Sequence, residues 1–114
     1  MDSRRTVAGL IESLSQLKTS DLNSQITSKD EGNRRYYTVR LCNKTYSLAF
    51  FTRLMLTDSK TGEIISPVFY SDNYFSMLPG ESKTITIDVS LQDLHSHPSE
   101  IIIEGYNVKK KVLQ

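Results

Sequence analysis

Residues 78–89 read Leu-Pro-Gly-Glu-Ser-Lys-Thr-Ile-Thr-Ile-Asp-Val, and this stretch decides the fold class. Pro79 presets the φ that the first central position of a turn needs. Gly80 accepts the positive φ that a type II turn demands at the next position. Beyond the turn, Ile85, Ile87 and Val89 alternate with Thr84, Thr86 and Asp88. A period of two places one face of a strand in a core and the other in water. A tight turn feeding a half-buried strand is a unit of an antiparallel sheet.

The same period recurs on both sides of this stretch. Tyr37, Val39 and Leu41 alternate with Tyr36, Thr38 and Arg40. Phe50, Leu54 and Leu56 share a parity, with Thr52 between them. Ile101, Ile102 and Ile103 form a β-branched run that suits a strand covered on both faces. Leu22 to Thr27 reads as a weaker first strand, and Pro67 to Tyr70 as a short one whose leading Pro removes no ladder hydrogen bond. Turn residues separate these runs: Asp30-Glu31-Gly32-Asn33, Asp58-Ser59-Lys60-Thr61-Gly62 and His95-Ser96-His97-Pro98. The pattern predicts an all-β chain, an immunoglobulin-like antiparallel β-sandwich of about seven strands, with a small barrel as the alternative. The Cys–Trp–Cys signature of antibody domains is missing, since the chain has one Cys and no Trp.

The first twenty residues differ from the rest. Val7, Leu10, Ile11, Leu14 and Leu17 recur at three- and four-residue spacing, the stripe of a short helix about three turns long. Residues 1–20 are therefore expected to be a linker or short helix, and 21–114 the sandwich. Glu12, Ser13, Ser15 and Gln16 break the apolar run that an export signal requires. No apolar stretch reaches the roughly 18 residues of a membrane span. The 114 residues suffice for one domain, and a net charge of +1 supplies no field to attract nucleic acid or an anionic membrane. A single Cys excludes a disulfide framework and any multi-Cys metal site.

Few residues suggest chemistry. His95 and His97 lie two apart beside Asp93, but a metal site needs further ligands and the chain has no other His. Cys42 lacks an evident base and reads as a structural or tolerated thiol. Asp72-Asn73, set between Tyr70-Ser71 and Tyr74-Phe75, has two readings: loop oxygens for calcium, or an Asx turn whose neighbouring aromatics plug the core. The ten aromatics raise sugar binding, although the flat Trp platforms usual there are absent and the Tyr residues also suit packing. Asn43-Lys44-Thr45 matches the glycosylation acceptor pattern. Lys109-Lys110-Lys111 reads as a solvated basic end. Nothing in these residues calls for a cofactor or a metal.

Taken in series, the segments carry a resemblance. Ala49-Phe50-Phe51-Thr52-Arg53-Leu54 leads to Tyr70-Ser71-Asp72-Asn73-Tyr74-Phe75, then to Leu78-Pro79-Gly80-Glu81-Ser82, and closes on Glu104-Gly105-Tyr106-Asn107. Over residues from about 17 to 108 the series resembles the C-terminal immunoglobulin-like domain of family 2 glycoside hydrolases, in the β-mannosidase and exo-β-glucosaminidase branch. The resemblance implies a non-catalytic accessory domain, a fragment of an exo-glycosidase acting on β-mannosides or related β-glycosides, and not an enzyme by itself. The acid/base glutamate of that family lies in an Asn-Glu pair of the barrel domain, and no Asn-Glu pair occurs here. The implied partners are the catalytic barrel and the other domains of the parent enzyme, with weak glycan contact as a lesser one. The parent would be exported or lysosomal. A carbohydrate-binding module and a free-standing interaction domain are the competing functions. Phe50, Phe51, Arg53, Asp72, Asn73, Tyr74, Phe75, Pro79 and Gly80 are expected to carry folding, with Phe50 and Leu54 on an inner face and the rings of Tyr74 and Phe75 turned inward.

Overall fold

A computed structural model describes residues 18–94 and 98–113. The elements are β1 (Leu22–Glu31), β2 (Arg34–Asn43), β3 (Ala49–Asp58), β4 (Val68–Tyr70), β5 (Phe75–Met77), β6 (Ser82–Ser90), a single 3-10 turn (Leu91–Leu94), β7 (Ser99–Glu104) and β8 (Lys111–Leu113). They form two four-stranded antiparallel sheets, ordered β1-β2-β6-β4 and β5-β3-β7-β8. The immunoglobulin-like sandwich is therefore present. The two strands that the sequence pattern does not show, β5 and β8, are three residues each, too short to display alternation.

Local chemistry sets the pairing. β1 and β2 are joined by the two-residue loop Gly32-Asn33 and stay in register from Glu31↔Arg34 to Leu22↔Asn43. On the rim of this hairpin Arg35 donates to both carboxylate oxygens of Asp30, at 2.6 and 3.1 Å. Each strand then sends alternate residues inward. Val39, Leu41, Ile85, Ile87 and Val89 of the first sheet meet Leu54, Leu56, Met77, Ile101 and Ile103 of the second in one core. Thr84 and Thr86 of β6 face water, as their parity requires. In the β7 run Ile101 and Ile103 are buried while Ile102 is half-buried.

The turn at 78–81 has the geometry its residues demand. Gly80 sits at φ 81°, and the Glu81 N–H donates to the Leu78 carbonyl at 3.0 Å. Nothing lies within 4 Å of the Cβ that another residue would add there, so positive φ alone selects glycine.

Two inward assignments are corrected. β3 carries an irregularity between Ala49 and Thr52, where its register against β5 shifts. The extra residue moves the parity by one. Ala49, Thr52, Leu54 and Leu56 are buried, while Phe50 is only half-buried and lies outside the core. Tyr74 is also not inward: it is 62% exposed, whereas its neighbour Phe75 is buried at 7%. The helical stripe from Val7 to Leu17 and the His95/His97 pair lie outside the described residues.

Candidate functional site

The Tyr70–Phe75 segment is where the chain crosses from one sheet to the other. Ser71 is still bonded to the first sheet: its N–H donates to the Thr86 carbonyl at 2.9 Å, and its Oγ accepts the Thr86 N–H at 2.8 Å. Two residues later Asn73 belongs to the second sheet. Its Oδ1 accepts the Leu54 N–H at 2.8 Å and its Nδ2 donates to the Leu54 carbonyl at 3.1 Å. The Tyr70 hydroxyl accepts the Leu56 N–H at 2.9 Å. β5 pairs only with the start of β3 and the 63–65 segment only with its end, so these side chains replace a missing strand in between, at Leu54 and the Leu56 N–H. Burial raises the Tyr70 pKa, and the Leu56 N–H opposes that rise.

Asp72 accepts the Asn73 N–H at 2.8 Å and forms an ion pair with Lys83 at 2.6 Å. The Lys83 hydrogen bond holds the Asp72 carboxyl below its usual value. The Lys83 ammonium also lies 4.9 Å from the Phe75 ring centroid, a cation–π contact. The Asn73 amide is spent on the Leu54 backbone and Asp72 faces an ammonium, but the Asp72 carboxylate accepts the N–H one residue on rather than two, so the corner is not the Asx turn of the sequence reading, and of its two aromatics only Phe75 turns inward. Among the described residues no three His, Cys, Asp or Glu side chains converge to hold a metal.

Beside this corner lies an aromatic edge. Phe51, Arg53, Tyr74, Glu104 and Gly105 line an open depression of about 480 Å³. Phe51 and Tyr106 are 56% and 60% exposed. Both rings meet Phe50 edge-on, at centroid distances of 4.3 and 6.1 Å. On the floor Arg53 Nε donates to Glu104 at 2.7 Å, and its Nη1 reaches the Tyr74 hydroxyl at 3.4 Å. These partners, Tyr74 first, raise the Arg53 pKa. Among the described residues, the two non-glycine residues at positive φ are Phe51 at 49° and Tyr74 at 55°. Backbone strain of this kind costs on the order of 1–3 kcal/mol per residue. Next to Phe51, the fully buried Thr52 has a hydroxyl with no partner.

A polar clasp closes the same end of the sandwich. Asn107 accepts the Phe50 N–H at 2.8 Å through Oδ1, and its Nδ2 donates to the carbonyls of Lys18 at 2.8 Å and Leu48 at 2.5 Å. Ser20, fully buried, donates its N–H to the Asn107 carbonyl at 2.7 Å. The incoming chain is thus stapled beside Phe50. Gly105 is demanded by close approach, since a Cβ would meet Val108 at 2.9 Å and the carbonyls of Phe50 and Phe51 at 3.0 and 3.1 Å. Asn43 is fully buried, and its Nδ2 donates to the carbonyls of Ser47 and Met77 at 2.9 and 3.1 Å. The glycosylation pattern at Asn43 is therefore closed in the folded chain.

The chain as a whole matches a known family. The family described as the exo-beta-D-glucosaminidase Ig-fold domain matches residues 4–108. The chain belongs to that family. This immunoglobulin domain of the family 2 glycoside hydrolases is 35% identical over 100 residues to an exo-β-D-glucosaminidase of Arthroderma benhamiae, covering 88% of this chain and 10% of that protein. It is 31% identical over 101 residues to the exo-β-D-glucosaminidase of Streptomyces avermitilis, covering 89% and 11%. The crystal structure of the Amycolatopsis orientalis exo-chitosanase CsxA superposes with a TM-score of 0.82 at 26% identity, over 90% of this chain and 12% of that one. The glucosaminidase-type domain thus spans about a tenth of the length of the curated relatives it matches.

The structure brings Phe50, Phe51, Arg53 and Tyr74 together at one edge, places Asp72, Asn73 and Phe75 at the adjoining corner, and sets Pro79-Gly80 in the following turn. Cys42 is half-buried and lies with Arg40, Ser82 and Lys111 in a polar depression. Lys111, read as part of a solvated end, opens β8 and pairs with Asp21 at 2.5 Å, which holds that carboxyl below its usual value. Sequence reasoning missed Asn107, Thr52 and the clasp function of Asn43. A buried polar residue beside a strand end is the signal that could have found them, and nothing local distinguishes it from an exposed one.

Proposed function

We propose that this chain is a non-catalytic accessory domain of a family 2 exo-glycosidase that acts on β-D-glucosaminides, and that its role is architectural. The observation that carries this reading is the family match over 4–108, in a chain that spans about a tenth of relatives named exo-β-D-glucosaminidases. Those names favour the glucosaminide half of the branch and lend nothing to a β-mannoside substrate. The polar side chains at the corner and clasp are spent on backbone groups, which supports a structural role over a chemical one.

A chimera tests the reading. The matching region of the Streptomyces avermitilis enzyme is replaced by this chain, and hydrolysis of an aryl β-D-glucosaminide is measured. The expected result is a folded, active chimera, together with no turnover by the 114-residue chain alone. An inactive or aggregated chimera, or turnover by the isolated chain, overturns the proposal.

The carbohydrate-binding reading keeps one supporting observation, the exposed rings of Phe51 and Tyr74 at a depression, with the exposed Tyr106 ring against Phe50. The charges there oppose a cationic amino sugar, because Arg53 and Lys110 flank the single carboxylate Glu104 at 2.5 and 4.0 Å.

A further inference from the structure

The edge formed by Phe51, Tyr74 and Tyr106 is the least settled part of the molecule, and its features share one explanation. Three large rings, each more than half exposed, sit together at one end of the sandwich. Scattered exposed apolar residues need no explanation, but a cluster of them marks a contact surface. Two of the three, Phe51 and Tyr74, hold their rings out through a left-handed backbone conformation that L-residues disfavour. Thr52, between Phe51 and Arg53, buries a hydroxyl with no partner. Strain and an unpaired polar atom at one place are what a site keeps when selection acts on something other than the stability of the lone domain.

We propose that this edge is the surface through which the domain docks on the remainder of its parent glycosidase chain, and that the surface it meets is apolar at its centre and acidic at its rim. The inference rests on the accessory-domain reading above. Two observations specify the occupant. The first is charge: Arg53 and Lys110 both pair with Glu104 beside the depression, two cations to one carboxylate. The net positive rim fits carboxylates and repels a cationic surface. The second is position. Asn107 holds the Lys18 carbonyl with one end of its amide and the Phe50 N–H with the other. Lys18 is therefore held beside Phe50, next to the aromatic edge.

The test compares one pair of substitutions in two settings. Phe51→Gly and Tyr74→Gly remove the rings and also relieve positive φ. The isolated 114-residue chain carrying either change is expected to melt no lower than wild type. The Streptomyces avermitilis chimera carrying the same change is expected to melt several degrees lower, or to split into two transitions by calorimetry. Lys110→Gln, which does not touch the core, removes an exposed pair with Glu104 and is expected to lower the chimera's melting temperature at low salt by more than it lowers that of the isolated chain. Equal losses in both settings make these residues part of the fold and overturn the proposal, as does no loss in either. If the chimera is active and melts cooperatively but ignores all the variants, the docking surface is wrong and the accessory reading stands. If the unsubstituted chimera is inactive, the accessory reading fails and takes the docking surface with it. Glucosamine oligosaccharides titrated into the isolated chain give no saturation on this proposal. Saturable binding that Phe51→Gly abolishes overturns it in favour of a sugar site.

Discussion

Asn73→Ala isolates the reading that a side chain replaces a strand. Asn73 makes two hydrogen bonds to Leu54, one to the N–H at 2.8 Å and one from the amide to the carbonyl at 3.1 Å. The substitution removes both and leaves two groups of the β3 backbone without partners. A net hydrogen bond is worth about 1 kcal/mol, and an unsatisfied buried group costs about 1–3 kcal/mol. Leu54 itself is 1% exposed but Asn73 is half-buried, so water reaches part of the gap. The expected loss is about 2–3 kcal/mol for the pair. For a domain of this size that is a fall in melting temperature of about 10–20 °C. Circular dichroism melts of the isolated chain measure it directly. Asn73→Asp sharpens the test. It keeps an acceptor for the Leu54 N–H but sets a second oxygen against the Leu54 carbonyl. The protonated carboxyl can donate there and the ionised one cannot, so the folded-state pKa is raised. Stability relative to wild type is then lowest at neutral pH and recovers as the pH falls toward the unfolded value of about 4. An Asn73→Ala variant melting within 2 °C of wild type, or an Asp variant with no acid recovery, would refute the argument (a shift of ~2 °C corresponds to under ~0.5 kcal/mol).

Three further outcomes follow from single contacts. Gly80→Val forces a β-branched residue to φ 81° and should destabilise the isolated chain by about 1–3 kcal/mol, read as a lower urea midpoint at constant slope. Thr52→Val replaces the unpaired buried hydroxyl by a methyl of equal shape and should raise stability by about 1 kcal/mol, whereas a loss would show that the hydroxyl has a partner. The carboxyls of Asp21, Asp30 and Asp72 are held below 3.8 by Lys111, Arg35 and Lys83, so their contribution is present above that pH and is lost as the pH falls through the lowered values. Asp72→Asn should flatten that acid limb, and added salt should shrink the effect because the pairs are exposed; an unaltered acid limb would remove Asp72 from the account.

The parts of the fold legible in the sequence are those in which one local rule acts alone. Ile85, Ile87 and Val89 alternate without interruption, and β6 runs through them with each one buried. Pro79-Gly80 can form few other turns, and the chain makes the expected one. The reading of Phe50 failed because strand parity assumes an unbroken pleat. The extra residue between Ala49 and Thr52 transfers the inward position from Phe50 to Ala49, while Thr52, Leu54 and Leu56 keep the parity read from the sequence, and no residue type at 49–52 announces a bulge. Tyr74 was misplaced for a related reason. An aromatic beside a corner normally packs inward, and only the left-handed φ shows that this one does not. Asn73 was visible as a turn residue, but its partner Leu54 is 19 positions away. Long-range use of a side-chain amide leaves no local mark, which is also why Asn107, visible in the closing segment, gives no sign of its bonds to Lys18, Leu48 and Phe50.

The distribution of these departures is itself informative. At the Tyr70–Asn73 corner and the Leu78–Glu81 turn, residue type, backbone conformation and hydrogen bonding all agree, as they do in a minimally frustrated chain. At the Phe51–Tyr74 edge they conflict three times: two bulky residues sit at positive φ, and an adjacent threonine is buried without a partner. Random imperfection would scatter such conflicts across both sheets. Among the described residues every non-glycine positive φ and every unpartnered buried side-chain polar atom falls within this one edge, on strand β3 or on the corner that packs beside it. Each is removable by a common substitution, Gly at 51 or 74 and Val at 52, so their presence is not forced by the sandwich. A domain selected only to fold would lose them, and one whose exposed rings meet another surface has a reason to retain them.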